Sequence, residues 1–538
     1  MFGLGLLVKI CCFKTAVAHR TTQYYRGYLE DSEMTVEMEF DIQSDAFMDW
    51  LRAQSGVRIA STISLRDLRA QQQGRGVIAS ADINEGELLF SIPRSVTLSI
   101  ENSGITEKVP EILELDHWIG MIVTMMAENK PDSRWKPYFD VLPKNFTTPM
   151  FWPKSDLEEL GGTTVLTQLG KDDAEATYRD VVLPIVKKHP EVFGKIDHSI
   201  DAYHRMGSLI LSYSFDIERE GQSDENEWDG GGNQEEKLVD ELPAVEESDS
   251  DDEEVSAEAE NEDENDTLNE NDEGVIEVEE EEDNDDDQKF LKAMVPLADM
   301  LNGDSDLCNA KLFYSKENLE MRATKFIPEG SQVYNTYGDL PNADLLRRYG
   351  YVRYGKTKND VVEVETQLVI DSTAHRLSET HLKKRIDFMI EVDQEEDEEL
   401  LDDYIQISIS SSAIPTSALL LTYILMLNPT AFRSLKKQDH DAVQSITRKE
   451  LKSEEQRELW TAIIKKKLAL YKTDIVTDEN LILETPPEVN LNLRNAIEVR
   501  LSEKRILEAA MNKVRGWKIK DKKRRKEFST RPSKRGKN

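Results

Sequence analysis

Apolar and polar positions first fall into a recognisable pattern at Gly76 to Leu98. Val77 and Ile78, then Leu88 to Ile92, are separated by Asn84, Glu85 and Gly86 and stopped by Pro93. The spacing predicts two short strands joined by a turn, a hairpin near the start of a β-rich region. From Asp116 to Glu128 the period lengthens, with Ile119, Ile122, Val123 and Met126 on one face of a helix, and helical and irregular stretches run on to Phe215. Strand character returns in FLKAMVPLADMLNGD, in AKLFYSKENLEMRATKF, where Asn318 is placed at a turn between two strands, and in IPEGSQVYNTYG. Beyond about residue 370 the helical period takes over. Trp460, Ile464, Leu468 and Tyr471 share one spacing, and Leu493, Ile497 and Leu501 share another that continues through Leu507, Met511 and Val514. A second, all-α domain is expected. Within it ALLLTYILML, from Ala418, falls short of the ~18 apolar residues of a membrane span and reads as a buried helix.

Charge sharpens the domain limits. Of the chain's formal −38, the segment Ser223 to Gln288 carries −32, with 33 Asp or Glu against Lys237 alone, leaving −6 for the other residues. Such a composition cannot bury enough apolar surface to offset the cost of ordering, so a disordered acidic loop is expected there. Closing a loop of that length costs only about 2 kcal/mol more than closing a five-residue one, which a folded domain can host. Lys513 to Asn538 holds 13 Lys or Arg against Asp521 and Glu527. Three cysteines, Cys11, Cys12 and Cys308, form no paired motif, which excludes a cysteine-built zinc site and suits a reducing compartment. No metal is expected. The amino terminus MFGLGLLVKICCF is apolar and TAVA resembles a cleavage site, yet the basic start of a signal peptide is missing, and a start at Met34 is the competing reading.

Three local pieces could carry chemistry. Gly74-Arg75-Gly76 is a tight turn or a backbone that lets a ligand approach closely. PLADMLNGDSDLCNA, Pro296 to Ala310, is a strand ending in a polar loop or a binding edge. In VYNTYGDLPNADLLRRYGYV a polar run with Asn335 and Tyr337 directly follows Val333 and precedes a helix carrying Leu345, Leu346 and Tyr349. A plain hairpin end explains that arrangement poorly.

Taken in order, these pieces resemble a SET-domain protein-lysine methyltransferase. GRGVIASADINEGELLFSIP is similar to the family's opening element, SYSFD at Ser212 to Asp216 to its mid-domain helix end, PLADMLNGDSDLCNA to its Asn-containing motif, and YNTYG with YGYV to its terminal tyrosine motif. TDIVTDENLI and NLRNAIEVRLSEKRIL resemble the substrate-binding domain of the Rubisco large-subunit methyltransferase class, and within that class the ribosomal lysine methyltransferases. The resemblance runs from about Phe47 to Gly516 outside the acidic block. It implies an α+β fold, a β-rich SET domain with a helical insertion followed by the helical substrate-binding domain. The expected limits are an N-terminal extension at 1–45, poorly ordered, and a SET domain at 46–355 with its insert at about 100–210 and acidic loop at 223–288. A helical domain at 360–512 and a basic tail at 513–538 complete the chain.

The resemblance implies a site as well. Tyr337 is the catalytic hydroxyl. Gln73, Gly74, Arg75, Tyr213, Asn302, Gly303 and Tyr349 line S-adenosyl-L-methionine, and Trp135, Ser214 and Asp299 face the substrate lysine. Asp299 is equally readable as a loop-stabilising acid and Trp135 as a core aromatic. Most members carry Asn-His where this chain has Asn302-Gly303, which puts the cofactor contact at 303 in question. The implied partner is a basic protein, a ribosomal protein first, with the chain a monomer off the membrane. The acidic loop attracts such a substrate or is an inert insertion, while the tail is a nuclear-import signal, a ribosomal RNA contact or a screen for the acidic loop. Nuclear localisation, with the cytoplasm as second site, is expected. The competing reading is a non-catalytic acidic chaperone for basic proteins.

Overall fold

The structure is a computed structural model describing residues 39–218 and 290–519, apart from 72, 356–357, 375, 397–399, 488 and parts of 438–447. The acidic block at 223–288 and the chain before 39 and after 519 lie outside the described residues. Among the described residues two compact units emerge, one within the limits Met1–Met121 and Ser214–Gly338, the other within Ile122–Tyr213 and Asp339–Asn538.

The first unit opens on helix α1, residues 39–52, which buries Phe47, Met48 and Leu51. Residues 39–45, expected to belong to a poorly ordered extension, are thus part of a packed helix. Two four-stranded sheets follow, in the orders β1-β4-β9-β8 and β2-β3-β10-β7. Their strands are β1 (Arg58–Ile59), β2 (Ile63–Asp67), β3 (Arg75–Ala79), β4 (Leu88–Pro93), β7 (Asn302–Gly303), β8 (Ala310–Tyr314), β9 (Asn318–Ala323) and β10 (Gln332–Asn335). A ribbon of β5 (Ser214–Glu218) and β6 (Phe290–Met294) pairs Ser214 with Met294 and Glu218 with Phe290.

The hairpin expected over residues 76–98 does not form. β3 pairs with β2 and β10, whereas β4 pairs with β1 and β9, so the segment between them crosses from one sheet to the other. Alternation identified both strands correctly but says nothing about partners, and Ile83 bridges Ile327 on the way across. The hairpin lies earlier, between β2 and β3, where the Leu68 N–H donates to the Gly74 carbonyl at 2.7 Å and Gly74 has φ of 70°. The turn expected at Asn318 lies just before it, at residues 315–317 between β8 and β9, with Asn318 opening β9; the Ser315 N–H and hydroxyl both donate to the Asn318 carbonyl, at 2.9 and 2.8 Å.

Helix α2 (His117–Glu128) is the helix expected from 116 to 128, with Ile122, Val123 and Met126 buried. The second unit continues to α3 (Ile200–Tyr213) and resumes with a ribbon of β11 (Val361–Glu365) and β12 (Tyr404–Ser408), an addition to the helical domain that the periodicity did not reveal. The apolar run near 418 becomes α4 (Thr416–Met426), whose Leu419, Leu421 and Ile424 are fully buried. The buried Arg385 guanidinium donates to the carbonyls of Ile424 at 3.1 Å and Leu427 at 2.6 Å, satisfying the end of that helix with a cation where the dipole favours one. Helices α5 (Glu454–Leu468), α6 (Ile475–Glu484) and α7 (Leu491–Arg515) complete the unit. Buried Asp478 on α6 accepts from Arg500 and Lys504 on α7, and Arg500 reaches Glu159 of the inserted segment at 2.8 Å. That network draws the helical insertion into the second unit. Among the described residues no helix is long and apolar enough to cross a membrane.

Candidate active site

β7 is two residues long and runs parallel to β10, with Asn302 opposite Tyr334 and Gly303 opposite Asn335. So short a parallel pairing has few ladder bonds, and side chains hold it instead. Buried Asn309 accepts from the Tyr334 N–H at 2.8 Å through Oδ1, donates from Nδ2 to the Gln332 carbonyl at 2.9 Å, and donates its own N–H to the Tyr334 carbonyl at 3.1 Å. The Asp304 N–H donates to the Asn335 carbonyl at 2.9 Å, and Asp304 Oδ1 accepts from the N–H groups of Asp306 and Leu307, closing the loop.

Tyr337 is seated on this edge. Its hydroxyl donates to the Leu301 carbonyl at 3.2 Å, and its ring lies so close to Gly303 that a Cβ there would stand 2.5 Å from Cε2. Only glycine fits. In this chain the Tyr337 ring occupies the space a side chain at 303 would need. Ser305 donates to the Gly338 carbonyl at 3.1 Å and fixes the chain just after the tyrosine.

A chain of side-chain amides lies beside it. Asn302 Nδ2 donates to the Arg75 carbonyl at 3.3 Å and to Gln332 Oε1 at 2.7 Å, while Gln332 Nε2 donates to Gln73 Oε1 at 2.8 Å and to the Tyr334 hydroxyl at 2.7 Å. The Cα of Gly76 leaves room for them, since a Cβ there would stand 2.7 Å from Gln332 Oε1 and 2.9 Å from Asn302 Nδ2. Expected to line a cofactor, Arg75 contributes its backbone here. Its guanidinium turns to α1, stacking on Phe40 at 3.7 Å and donating to Ser44 at 3.0 Å and to the Phe40 carbonyl at 3.2 Å. Burial, helped by Arg69, brings that group down to about 10, so it stays charged at neutral pH. Asp299 is buried in a 3-10 turn, Ala298–Met300, directly after Leu297 at φ 77°, a conformation costing about 1–3 kcal/mol for a residue with a side chain. Ser214 begins β5.

Three expected residues belong to the second unit. Tyr213 is the last residue of α3, and Tyr349 ends a π-turn, Leu345–Tyr349, that follows a short helix at Asn342–Asp344. Tyr349 therefore lies about two turns into its helix instead of the expected three. The carbonyls on either side of it are held: Ser212 donates to Arg348 at 2.6 Å and Thr147 to Gly350 at 3.1 Å. Trp135 is 1% exposed with the Arg134 guanidinium 3.8 Å from its ring centre, and this burial fits the core-aromatic alternative.

Two family models match in sequence order, a SET domain over residues 74–338 and a Rubisco LSMT substrate-binding domain over residues 369–507. The chain carries a SET domain followed by a Rubisco LSMT substrate-binding domain. It is 31% identical over 346 residues to ribosomal lysine N-methyltransferase 4 of Saccharomyces cerevisiae, a match covering 62% of this chain and only 60% of that relative. N-lysine methyltransferase SETD6 of Homo sapiens is 27% identical over 486 residues, covering 85% of this chain and 88% of that one. Among solved structures, the SET domain of LSMT bound to methyllysine and AdoHcy superposes with a TM-score of 0.62 at 16% identity, over 91% of this chain and 97% of that one, which shows the shared fold.

Within the SET domain, two residues escaped sequence reasoning. Asn309 and Gln332 hold the β7–β10 edge, yet one reads as a loop asparagine and the other as a strand-end glutamine. The available signal was a glutamine placed directly before the buried Val333.

Proposed function

We propose that this chain is an S-adenosyl-L-methionine-dependent protein-lysine N-methyltransferase acting on a ribosomal protein. The observation that carries the reading is the seat of Tyr337: a phenol held by ring and hydroxyl on the Asn302-Gly303 strand, within a fold of the lysine methyltransferase class. Its relatives' names supply the ribosomal substrate.

When bound, S-adenosyl-L-methionine supplies an electrophilic methyl group on a sulfonium sulfur. The chain's part is to present a neutral amine in line with it. A free lysine, with pKa about 10.4, needs about 4 kcal/mol to lose its proton near neutral pH. A narrow apolar site lowers that cost by disfavouring the ammonium form, so no strong side-chain base is required. The Tyr337 hydroxyl, aimed by its bond to Leu301, fixes the direction of the oxygen lone pairs that orient the amine, and neighbouring backbone carbonyls act in the same sense through their dipoles. The lysine ammonium gives one proton to solvent before transfer; its freed lone pair would then displace a neutral thioether from the methyl carbon, leaving the positive charge on the methylated nitrogen.

The test is transfer of labelled methyl groups from the cofactor to purified ribosomal subunits. Label on one ribosomal protein is expected. Tight binding of basic proteins with no transfer would replace the enzyme by the chaperone reading. Nuclear import through Lys513 to Asn538 is part of the proposal, supported by the density of basic residues, and a reporter fused to that segment that stays in the cytoplasm overturns it.

A further inference from the structure

We infer that Gln332 is a positioning residue that fixes the polarity of the cofactor cradle, making the site a reader of the donor's ammonium group. The inference rests on the function proposed above and deepens it. Its anchor is the Arg75 carbonyl, which can only accept. Asn302 must therefore turn Nδ2 toward it, and the second Nδ2 proton goes to Gln332 Oε1 at 2.7 Å. Gln332 is then fixed in turn, with Nε2 directed at Gln73 Oε1 and the Tyr334 hydroxyl. Rotating any one amide by half a turn would set donor against donor or acceptor against acceptor.

The relay leaves two groups over. Asn302 Oδ1 and Gln73 Nε2 have no partner among the described residues, the first an acceptor on a half-buried side chain and the second a donor on an exposed one. A free amide oxygen suits an ammonium and repels a carboxylate, whereas a free amide N–H suits a carboxylate. The pair matches the two charged ends of the amino-acid portion of S-adenosyl-L-methionine. Gly76 is part of the device because any side chain there would displace both Asn302 and Gln332.

The experiment uses the full chain and calorimetric titration with two probes, S-adenosylhomocysteine and the analogue lacking its α-amine, alongside the thermal midpoint of each variant. Gln332→Leu frees the Asn302 amide to rotate. It is expected to weaken S-adenosylhomocysteine by about tenfold and the deaminated analogue by less than about twofold, the loss of one charge-assisted hydrogen bond. Gln332→Glu keeps an acceptor for Asn302 Nδ2, although it turns the Gln73 amide, and is expected to restore most of the preference for the amine-bearing probe. Equal losses for both probes, or a wild-type ratio in Gln332→Leu, overturn the inference while leaving the proposed function standing. If Gln332→Leu does not fold, Gln332→Met, which likewise removes the acceptor for Asn302 Nδ2, is read through the same ratio. Failure of the wild-type chain to bind S-adenosylhomocysteine overturns both.

Discussion

At the scale of single residues, Gly303 and Tyr337 form one device. Gly303→Ala puts a methyl group into the Tyr337 ring, and the ring must leave its seat. Because the error falls on the group proposed to orient the amine, kcat is expected to drop by about 10²-fold with cofactor affinity changed far less. Tyr337→Phe is the complementary change: it keeps the ring on Gly303 and removes the bond to Leu301. A loss of similar size in single-turnover rate, with an unaltered thermal midpoint, is expected, and a wild-type rate in Tyr337→Phe rules out the mechanism given above. Through their motifs the sequence singled out Tyr337 and Asn302, which the structure brings to one strand edge. It left the reason for Gly303 hidden, because that reason is a contact across 34 residues of chain, and it left Gln332 hidden because a glutamine at a strand end has no motif.

Elements were legible wherever period alone decides them. α4, α5 and α7 were expected from helical spacing, and the β8–β9 hairpin from its turn. The pairing of β3 and β4 was misread because two alternating strands separated by a turn residue look alike whether they pair with each other or with strands far along the chain, as Val77 does with Val333 and Phe90 with Met321. β7 was too short for any period. α7 also carries a group that no pattern flags, Glu503, buried and accepting from the Tyr471 hydroxyl at 2.6 Å. Burial pushes its carboxyl up to about 8, against the pull of Tyr471 and Lys467 and with the help of Glu363 and Asp360. The native state then holds a proton that the unfolded chain releases at the ordinary value of 4.5, so this contribution to stability is complete below 4.5 and lost as pH rises to about 8. Glu503→Gln, neutral throughout, is expected to gain on the wild type in thermal midpoint as pH is raised from 5 to 8.5. A difference independent of pH would contradict the assigned ionisation.

At the scale of the whole molecule the open question is what −32 units of charge do in one segment. Its ends are stitched by β5 and β6, whose register carries Glu218 opposite Phe290, so the unit that holds Tyr337 closes on itself at the mouth of the insertion. Replacing Ser223 to Gln288 by a short Gly-Ser turn changes closure by only about 2 kcal/mol, and in the stabilising direction. The thermal midpoint of that variant is therefore expected to stay at or slightly above the wild-type value. Activity separates the two roles left open by the composition. If the acidic segment draws a basic ribosomal substrate, kcat/KM at low salt is expected to fall several-fold on deletion, and its steep decline with added salt to flatten, because exposed charges act over a Debye length of about 8–10 Å at physiological ionic strength. A deletion variant with unchanged kcat/KM and unchanged salt dependence would make the segment an inert insertion. The methylation of a short uncharged lysine peptide supplies the control, since long-range attraction has nothing to act on there and its rate should be the same in both proteins.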